Sequence, residues 1–312
     1  MSNVNFDALL TTTLANYRDQ LTDNVFSDRV LTNHLMTKGR IRMLNGGTKI
    51  VEPLIYGTNT TVASYSGYDS ISLAAQTGIT AAEYEWKQYA ASIAISGIEE
   101  AKNNGEQEII NLLEAKIMQA EESMREGFNA MFFADGTGNS GKNWNGLANI
   151  IDSTGTVGNI NRATTGNEYW RSYEVAVGGA LTLAALATGY NTVSVGNDHP
   201  DMILTTQTVF EKYEALLQPQ LRYTDTKTAD SGFQNLLFKA APVVYDTACP
   251  AGNLFFMNSK YLTLVGHSGK WFQQTNFVRP EDLDARYALI MCYGNLTCRN
   301  AKKQGKLTGV TA

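Results

Sequence analysis

The chain has 312 residues, 43% of them hydrophobic and 18% charged, with a formal net charge of −5. The length suits one large domain or two moderate ones; the composition excludes wholesale disorder, and the acidic balance removes bulk positive potential as a general route to nucleic acid. Three cysteines, Cys249, Cys292 and Cys298, have no metal-ligand spacing and read as reduced, buried thiols. No charged start followed by an apolar core marks a signal peptide, and no run approaches the roughly 18 apolar residues of a membrane span. A protein made in, or assembled from, cytosol is expected.

In chain order, Asn5 to Phe26 carries Phe6, Leu9, Leu10, Leu14, Tyr17, Leu21 and Val25 at near-helical spacing, which predicts an amphipathic arm. A basic cluster, Lys38, Arg40 and Arg42, precedes the turn signal Asn45-Gly46-Gly47. The stretch from Ile50 to Trp86 is rich in Thr, Ser, Ala, Gly and Tyr and contains no Lys or Arg. A strand is expected near Thr60 to Tyr65 and a second from Tyr84 to Ile95, where Tyr89, Ala91, Ile93 and Ile95 alternate with small or polar residues. So core-poor a hairpin cannot stand alone. It needs another surface.

The longest coherent signal follows. Ile98, Ala101, Ile109, Leu112, Leu113, Ile117, Ala120, Met124, Phe128, Met131 and Phe132 fall mostly in steps of three and four and line one helical face. Ser96 with Glu99 has the form of a capping box, and Asp135-Gly136 supplies a stop. Asn103-Asn104-Gly105 is the expected bend, leaving an unbroken rod from Glu106 to Ala134, roughly 43 Å at about 1.5 Å per residue. Eight Glu stand between Ile98 and Ala134, whereas Lys270 to Ala312 carries seven basic and three acidic residues. These two regions can attract each other within or between chains, or the rod can be a solvated face with i,i+4 pairs.

Beyond the rod, Asp135 to Ile151 is a Gly- and Asn-rich link. Glu168 to Tyr190 reads as a helix, with Tyr169, Tyr173, Val177, Leu181 and Leu183 on one stripe. Met202 to Thr205 is a short strand and Thr206 to Leu217 a helix that Pro219 stops. Leu236 to Tyr245, Leu254 to Met257 and Tyr261 to Val265 are short β runs, and Asp284 to Cys298 one long late strand. The class is mixed α/β (α+β), with antiparallel strands outweighing βαβ succession.

Candidate chemistry is thin. Gly136-Thr137-Gly138-Asn139-Ser140-Gly141-Lys142-Asn143 matches the phosphate-cradling G-x-x-x-x-G-K core, but Asn143 replaces the Mg²⁺-holding hydroxyl and the motif follows a helix instead of a strand. A turn between helix and strand is the better reading. His34, His199 and His267 stand far apart, and Glu99-Glu100 and Glu121-Glu122 are adjacent helical positions that point about 100° apart. No catalytic, cofactor-binding or metal-ligating set emerges, and no cofactor is expected.

Read in order, the organisation resembles the major capsid protein of tailed bacteriophages, the HK97-like fold. The resemblance rests on an arm, a long hairpin whose return strand Ile93-Ala94-Ile95-Ser96 runs into the rod, and the rod's end at Phe132-Phe133-Ala134-Asp135-Gly136-Thr137-Gly138. It continues in Gly146-Leu147-Ala148-Asn149-Ile150, in Asp201-Met202-Ile203-Leu204-Thr205-Thr206 before a helix, in Ala241-Pro242-Val243-Val244-Tyr245-Asp246, and in the late strand followed by Arg299 and Asn300. It implies an N-terminal arm (1–49), an extended loop (50–95), a peripheral domain (96–165) with a spine helix at 106–134, an axial domain (166–275), a return to the peripheral domain (276–300) and a C-terminal tail (301–312). It further implies a structural, non-enzymatic protein that assembles in the host cytoplasm, through pentamers and hexamers, into an icosahedral shell around double-stranded DNA.

A scaffolding protein, a portal and a decoration protein are the partners that follow. The founding member links its subunits covalently through a Lys on the extended loop; without Lys from Ile50 to Trp86, no such link is expected here. An encapsulin-type compartment shell is the alternative with the same fold, and a P-loop-like nucleotide-binding enzyme the alternative from another class. Deleting Gly57 to Ala82 is expected to spare the subunit's folding and abolish closed shells.

Overall fold

The structure, a computed structural model, describes residues 29–102, 106–217 and 236–311. The expected arm helix, the bend at Asn103-Asn104-Gly105 and the Pro219 stop lie outside the described residues. Helix α1 (Val30–Thr37) comes first, then strand β1 (Ile41–Leu44), a ribbon of β2 (Ile50–Ile55) and β3 (Ile79–Tyr84), and β4 (Lys87–Ser96). The capping box forms: the Ser96 N–H donates to the Glu99 carboxylate (3.0 Å) and the Glu99 N–H to the Ser96 hydroxyl (3.3 Å). It launches α2 (Gly97–Lys102), which α3 (Glu106–Phe133) follows.

Helix α3 is the rod, 28 residues or about 42 Å long. Leu113, Ile117, Ala120, Met124, Phe128, Met131 and Phe132 are buried along it. Ile98 and Ala101 of α2, expected on the same stripe, are exposed. Phe128 is the hub, with its ring 4.6 Å from Tyr89, 5.1 Å from Trp144 and 6.0 Å from Phe272. Such aromatic contacts add to the area that each ring removes from water.

The rest runs through α4 (Leu147–Ile150), the hairpin β5 (Thr156–Val157) and β6 (Ile160–Asn161), β7 (Tyr173–Ala180), α5 (Leu183–Val193), β8 (Met202–Thr205) and α6 (Gln207–Leu217). Strands β9 (Leu236–Phe238), β10 (Ala241–Tyr245), β11 (Leu254–Met257), β12 (Leu262–His267), β13 (Gln273–Gln274), β14 (Ala285–Cys298) and β15 (Gly305–Thr311) complete it. One sheet runs β1-β12-β14-β13, with β4 also on β14; a second runs β7-β15-β11-β8-β10-β9. Most pairings are antiparallel, and β1–β12, β8–β10 and β7–β15 are parallel.

The second sheet is covered on both faces. Ile203, Val243, Leu254 and Phe256 share one core with Leu186, Tyr190, Phe210 and Tyr213 of α5 and α6. Their neighbours Met202, Leu204, Val244, Phe255 and Met257 join the larger core around α3 and the first sheet. Continuous apolar runs such as Leu254-Phe255-Phe256-Met257 are what a strand buried on both sides requires.

Several expectations are corrected. Thr60 to Tyr65 is not a strand; the hairpin's paired arms are β2 and β3. The run Tyr84 to Ile95 is two strands, because the chain turns at Glu85–Trp86 between the ribbon and the first sheet. Tyr84 is bound to the Cys298 backbone on one side of that turn, and the Trp86 indole N–H to the Gly47 carbonyl (2.8 Å) on the other. Glu168 to Tyr190 is not one helix but a short 3-10 turn, strand β7 and helix α5. The 3.6-residue pattern there is coincidental, since Gly178 (φ +63°) and Gly179 cannot sustain a helix, and Thr182 caps α5 by accepting from the Ala185 N–H (3.1 Å).

The expected tail, 301–312, instead contains β15, which is inserted between β7 and β11 in the second sheet. The Gly- and Asn-rich link also leads into α4, not a strand.

Candidate functional site

Among the described residues, the extended loop between β2 and β3 holds a run of chain that its own fold leaves uncovered. Strands β2 and β3 pair from Ile50↔Tyr84 to Ile55↔Ile79. Alternation sends Ile50, Glu52, Leu54, Ala82 and Tyr84 inward to full burial and leaves Val51, Ile55 and Ile79 exposed.

A glutamate on that inward face must be paired. Glu52 is fully buried; Arg42 of β1 donates to Oε1, Arg299 beyond β14 donates its Nε–H to Oε2 (2.7 Å), and the Thr297 hydroxyl donates to Oε1 (3.2 Å). One carboxylate thereby joins the ribbon to β1 and β14, the two strands that flank β12 in the first sheet. The Tyr84 hydroxyl anchors the other arm, donating to the Cys298 carbonyl (3.0 Å) and accepting from the Cys298 N–H (3.1 Å). Burial pushes the Tyr84 hydroxyl well above its ordinary pKa, so it remains a donor.

The stem ends at a neck. The N–H groups of Tyr56 and Gly57 both donate to the Gly78 carbonyl, at 2.9 and 3.3 Å. A Cβ at Gly57 would stand 2.8 Å from the Gly78 Cα, so only two glycines let the strands approach this closely. Beyond the neck, polar contacts alone organise the loop. The Thr60 N–H and hydroxyl both donate to the Gln76 Oε1 (3.0 Å each), and the Ser66 N–H donates to Asp69 (2.8 Å). Val62, Tyr65, Tyr68, Ile71 and Leu73 all point to solvent, Leu73 at 93% exposure. Ordered chain carrying bare apolar side chains is an interaction surface, not a core.

The spine helix is less available for charge pairing than its sequence suggested. Arg125 pairs with Glu122 (2.9 Å) and lies 3.9 Å from Glu121, Lys116 pairs with Glu99 (3.1 Å), and Arg286 of β14 with Glu100 (3.3 Å). Both expectations for the acidic stretch 98–134 are met in part: Glu100 of α2 reaches the basic C-terminal region within the chain, and Arg125 pairs with its neighbours along α3.

The remaining sequence candidates stay apart. The phosphate-loop lookalike folds as a left-handed turn with Asn139, Ser140 and Gly141 at positive φ, and Gly141 presents its carbonyl to the Lys87 ammonium. His34 meets Asp201 (3.1 Å), His199 the Pro200 carbonyl (3.1 Å), and His267 accepts from the Gly269 N–H (3.1 Å). The three cysteines are buried free thiols, and burial pushes Cys249 and Cys298 up to about 12 and Cys292 higher. Among the described residues no group of three or more His, Cys, Asp or Glu could hold a metal ion, and no helix is long and apolar enough to cross a membrane. Glu52, Arg42 and Tyr84 were not legible as functional residues. The signal that could have found Glu52 is a glutamate at an inward position between Ile50 and Leu54.

A ribbon rooted on a sheet, leading into a long spine helix and backed by a second, two-faced sheet, defines the shell subunit of the HK97-like class. The SU10 major capsid protein model matches residues 89–311, and the chain belongs to that family. It is a major capsid protein, a shell-forming structural subunit of a phage virion. The capsid protein of cyanophage A-1(L) has a similar fold, with a TM-score of 0.62 and 16% identity over 88% of this chain and 91% of that one. A chain from Mycobacterium phage Bobi aligns with a TM-score of 0.54 and 12% identity over 88% and 90%. A chain of the satellite phage P4 procapsid, a particle that includes a size determination protein, aligns with a TM-score of 0.53 and 12% identity over 94% and 90%. No curated protein matches the chain by sequence.

Proposed function

We propose that this capsid protein closes its shell by laying the loop beyond the Gly57–Gly78 neck on a neighbouring subunit, in pentamers and hexamers of an icosahedral head around double-stranded DNA. The observation that carries this is the contrast within one loop: a stem held by a buried carboxylate and a tip whose apolar side chains have no cover. On this reading α3 and the first sheet form the peripheral domain, and the second sheet with α5 and α6 forms the axial domain. The role is structural, not enzymatic. Assembly takes place in the host cytoplasm, with a scaffolding protein, a portal and a decoration protein as partners.

The test is a loop deletion, with bounds set by the fold. Removing Gly57 to Ala82 would take out most of β3 and the fully buried Ala82, so that deletion would damage the subunit itself. Replacing residues 58–77 by a short Gly-Ser link keeps the stem. The expected result is a folded subunit with unchanged thermal midpoint and no closed particles by electron microscopy. Normal shells from the deleted chain would overturn the reading.

A further inference from the structure

A groove of about 580 Å³ lies where β4 and β14 pass the left-handed turn at 139–141, lined by Trp86, Ala90, Leu289, Met291 and Tyr293 with Lys87 and Lys142 at its edge. Its volume falls within the roughly 300–1,000 Å³ of concave binding sites, room for more than one side chain. Its two ammonium groups differ. Lys87 is committed to the Gly141 carbonyl and lies 4.0 Å from Glu85 on the rim, whereas Lys142 is exposed and has no partner among the described residues. A groove with apolar walls, polar groups at Gln88 and Asn139 and one unpaired cation fits a partly apolar ligand that carries one negative charge and a hydrogen-bonding group.

The chain carries such a ligand. Between Ile55 and Thr80 the only charged residue is Asp69, and it sits in a four-residue turn, the Asp69 N–H donating to the Ser66 carbonyl (3.0 Å) and the Ser66 N–H to the Asp69 carboxylate (2.8 Å). Gly67 (φ +48°) lets the chain reverse there, and the turn holds the Tyr68 side chain wholly in solvent beside that carboxylate. In this subunit the tip stands away from its own groove: no residue beyond the neck lines it, Tyr68 is wholly exposed, and six paired residues of stem at about 3.3 Å each already carry the neck some 20 Å from the root beside Trp86. The groove is therefore open to the tip of a second copy.

We propose that Tyr68 and Asp69 of one subunit seat in this groove of its neighbour, the tyrosine ring against Met291 and Tyr293 and the carboxylate on Lys142. This rests on the shell reading above and specifies its contact. Tyrosine supplies apolar area with few rotatable bonds to freeze, and Asp69–Lys142 sets register in a contact otherwise made of small and aromatic side chains. The Lys-free loop avoids repelling the groove's own cations.

The experiment uses the full chain under conditions where the wild type forms shells, with particle yield read by sedimentation and electron microscopy. Asp69→Lys and Lys142→Glu each lower yield by about tenfold or more, and the double exchange D69K with K142E restores it. Carbodiimide coupling of assembled particles gives an Asp69–Lys142 linked peptide, and in shells mixed from isotopically heavy and light chains that peptide carries both labels. Both residues are exposed, so the single variants keep the wild-type thermal midpoint, and Tyr68→Ser lowers yield without touching the charges. Single reversals with normal yield, no rescue on exchange, or coupling of Asp69 to a different lysine would overturn the seat and leave the loop-deletion result standing. A wild-type chain that forms no shells even with its scaffold would remove the shell reading and the seat together.

Discussion

The two ends of the extended loop are the same piece of chain under opposite rules. In the stem, every second side chain is buried and even a carboxylate has been taken out of water, because Arg42, Arg299 and Thr297 satisfy it. In the tip, polar side chains hold the backbone together and the apolar ones face solvent. The difference teaches where stability and assembly reside. Stem contacts belong to the subunit's own folding free energy, and on the proposed reading tip contacts form between subunits.

Substitutions should separate the two. Glu52→Ala has the largest expected effect, a loss of about 2–4 kcal/mol in urea unfolding, because Arg42, Arg299 and Thr297 lose the buried acceptor they share, although both guanidinium groups stay partly in water. A loss below 1 kcal/mol would mean that the stem is not anchored through Glu52. Tyr84→Phe should cost about 1–3 kcal/mol, since it leaves the buried Cys298 N–H and carbonyl without their partner.

Acid probes the region outside the loop. Burial pushes the Glu174 carboxyl up, but Lys306 and Ser153 outweigh it and hold it at about 2; Asp201, buried but hydrogen-bonded by His34 and Ser259, is also lowered. Groups depressed in the folded state contribute fully above the unfolded carboxylate range near ~4 and lose that contribution as pH falls toward ~2. Thermal midpoints should therefore fall over that window, and Glu174→Gln should flatten the fall as well as lower the midpoint at neutral pH. A Glu174→Gln profile parallel to wild type would remove Glu174 from the account. The smallest expected effect on stability is at the tip: Leu73→Ser should stay within about 0.5 kcal/mol of wild type. A larger loss would show that the tip packs on its own subunit and would collapse the comparison.

Much of the architecture was readable because its elements obey one period at a time. The β4 alternation turns Tyr89, Ala91, Ile93 and Ile95 inward, Ile93 and Ile95 to burial and Tyr89 and Ala91 to half-burial, and the α3 stripe from Leu113 to Phe132 is buried as read. Strand β2 was hidden by chemistry. Its inward set is Ile50, Glu52 and Leu54, so the residue that anchors the stem is the one that spoils the apolar alternation, and Pro53 on the outer face discourages a strand reading further. Strand β7 imitated a helix because Tyr173, Val177 and Leu181 happen to recur every four residues. Strand β15 showed little because Gly305, Lys306 and Gly309 break its pattern, and what makes it a strand is supplied by β7 and β11, far away in sequence. The groove was unreadable for the same reason: Trp86, Lys142 and Met291 meet only in three dimensions.

The position of β15 also dictates an order of events. The last strand in the sequence lies between β7 and β11, and β7 has no other neighbour in its sheet. As the chain emerges, β7 has no ladder partner among the described residues until β15 has been made. Such long-range pairing closes slowly. The loop is built early and the pairing that completes the second sheet is built late, so a growing chain holds an exposed apolar tip on an unfinished body.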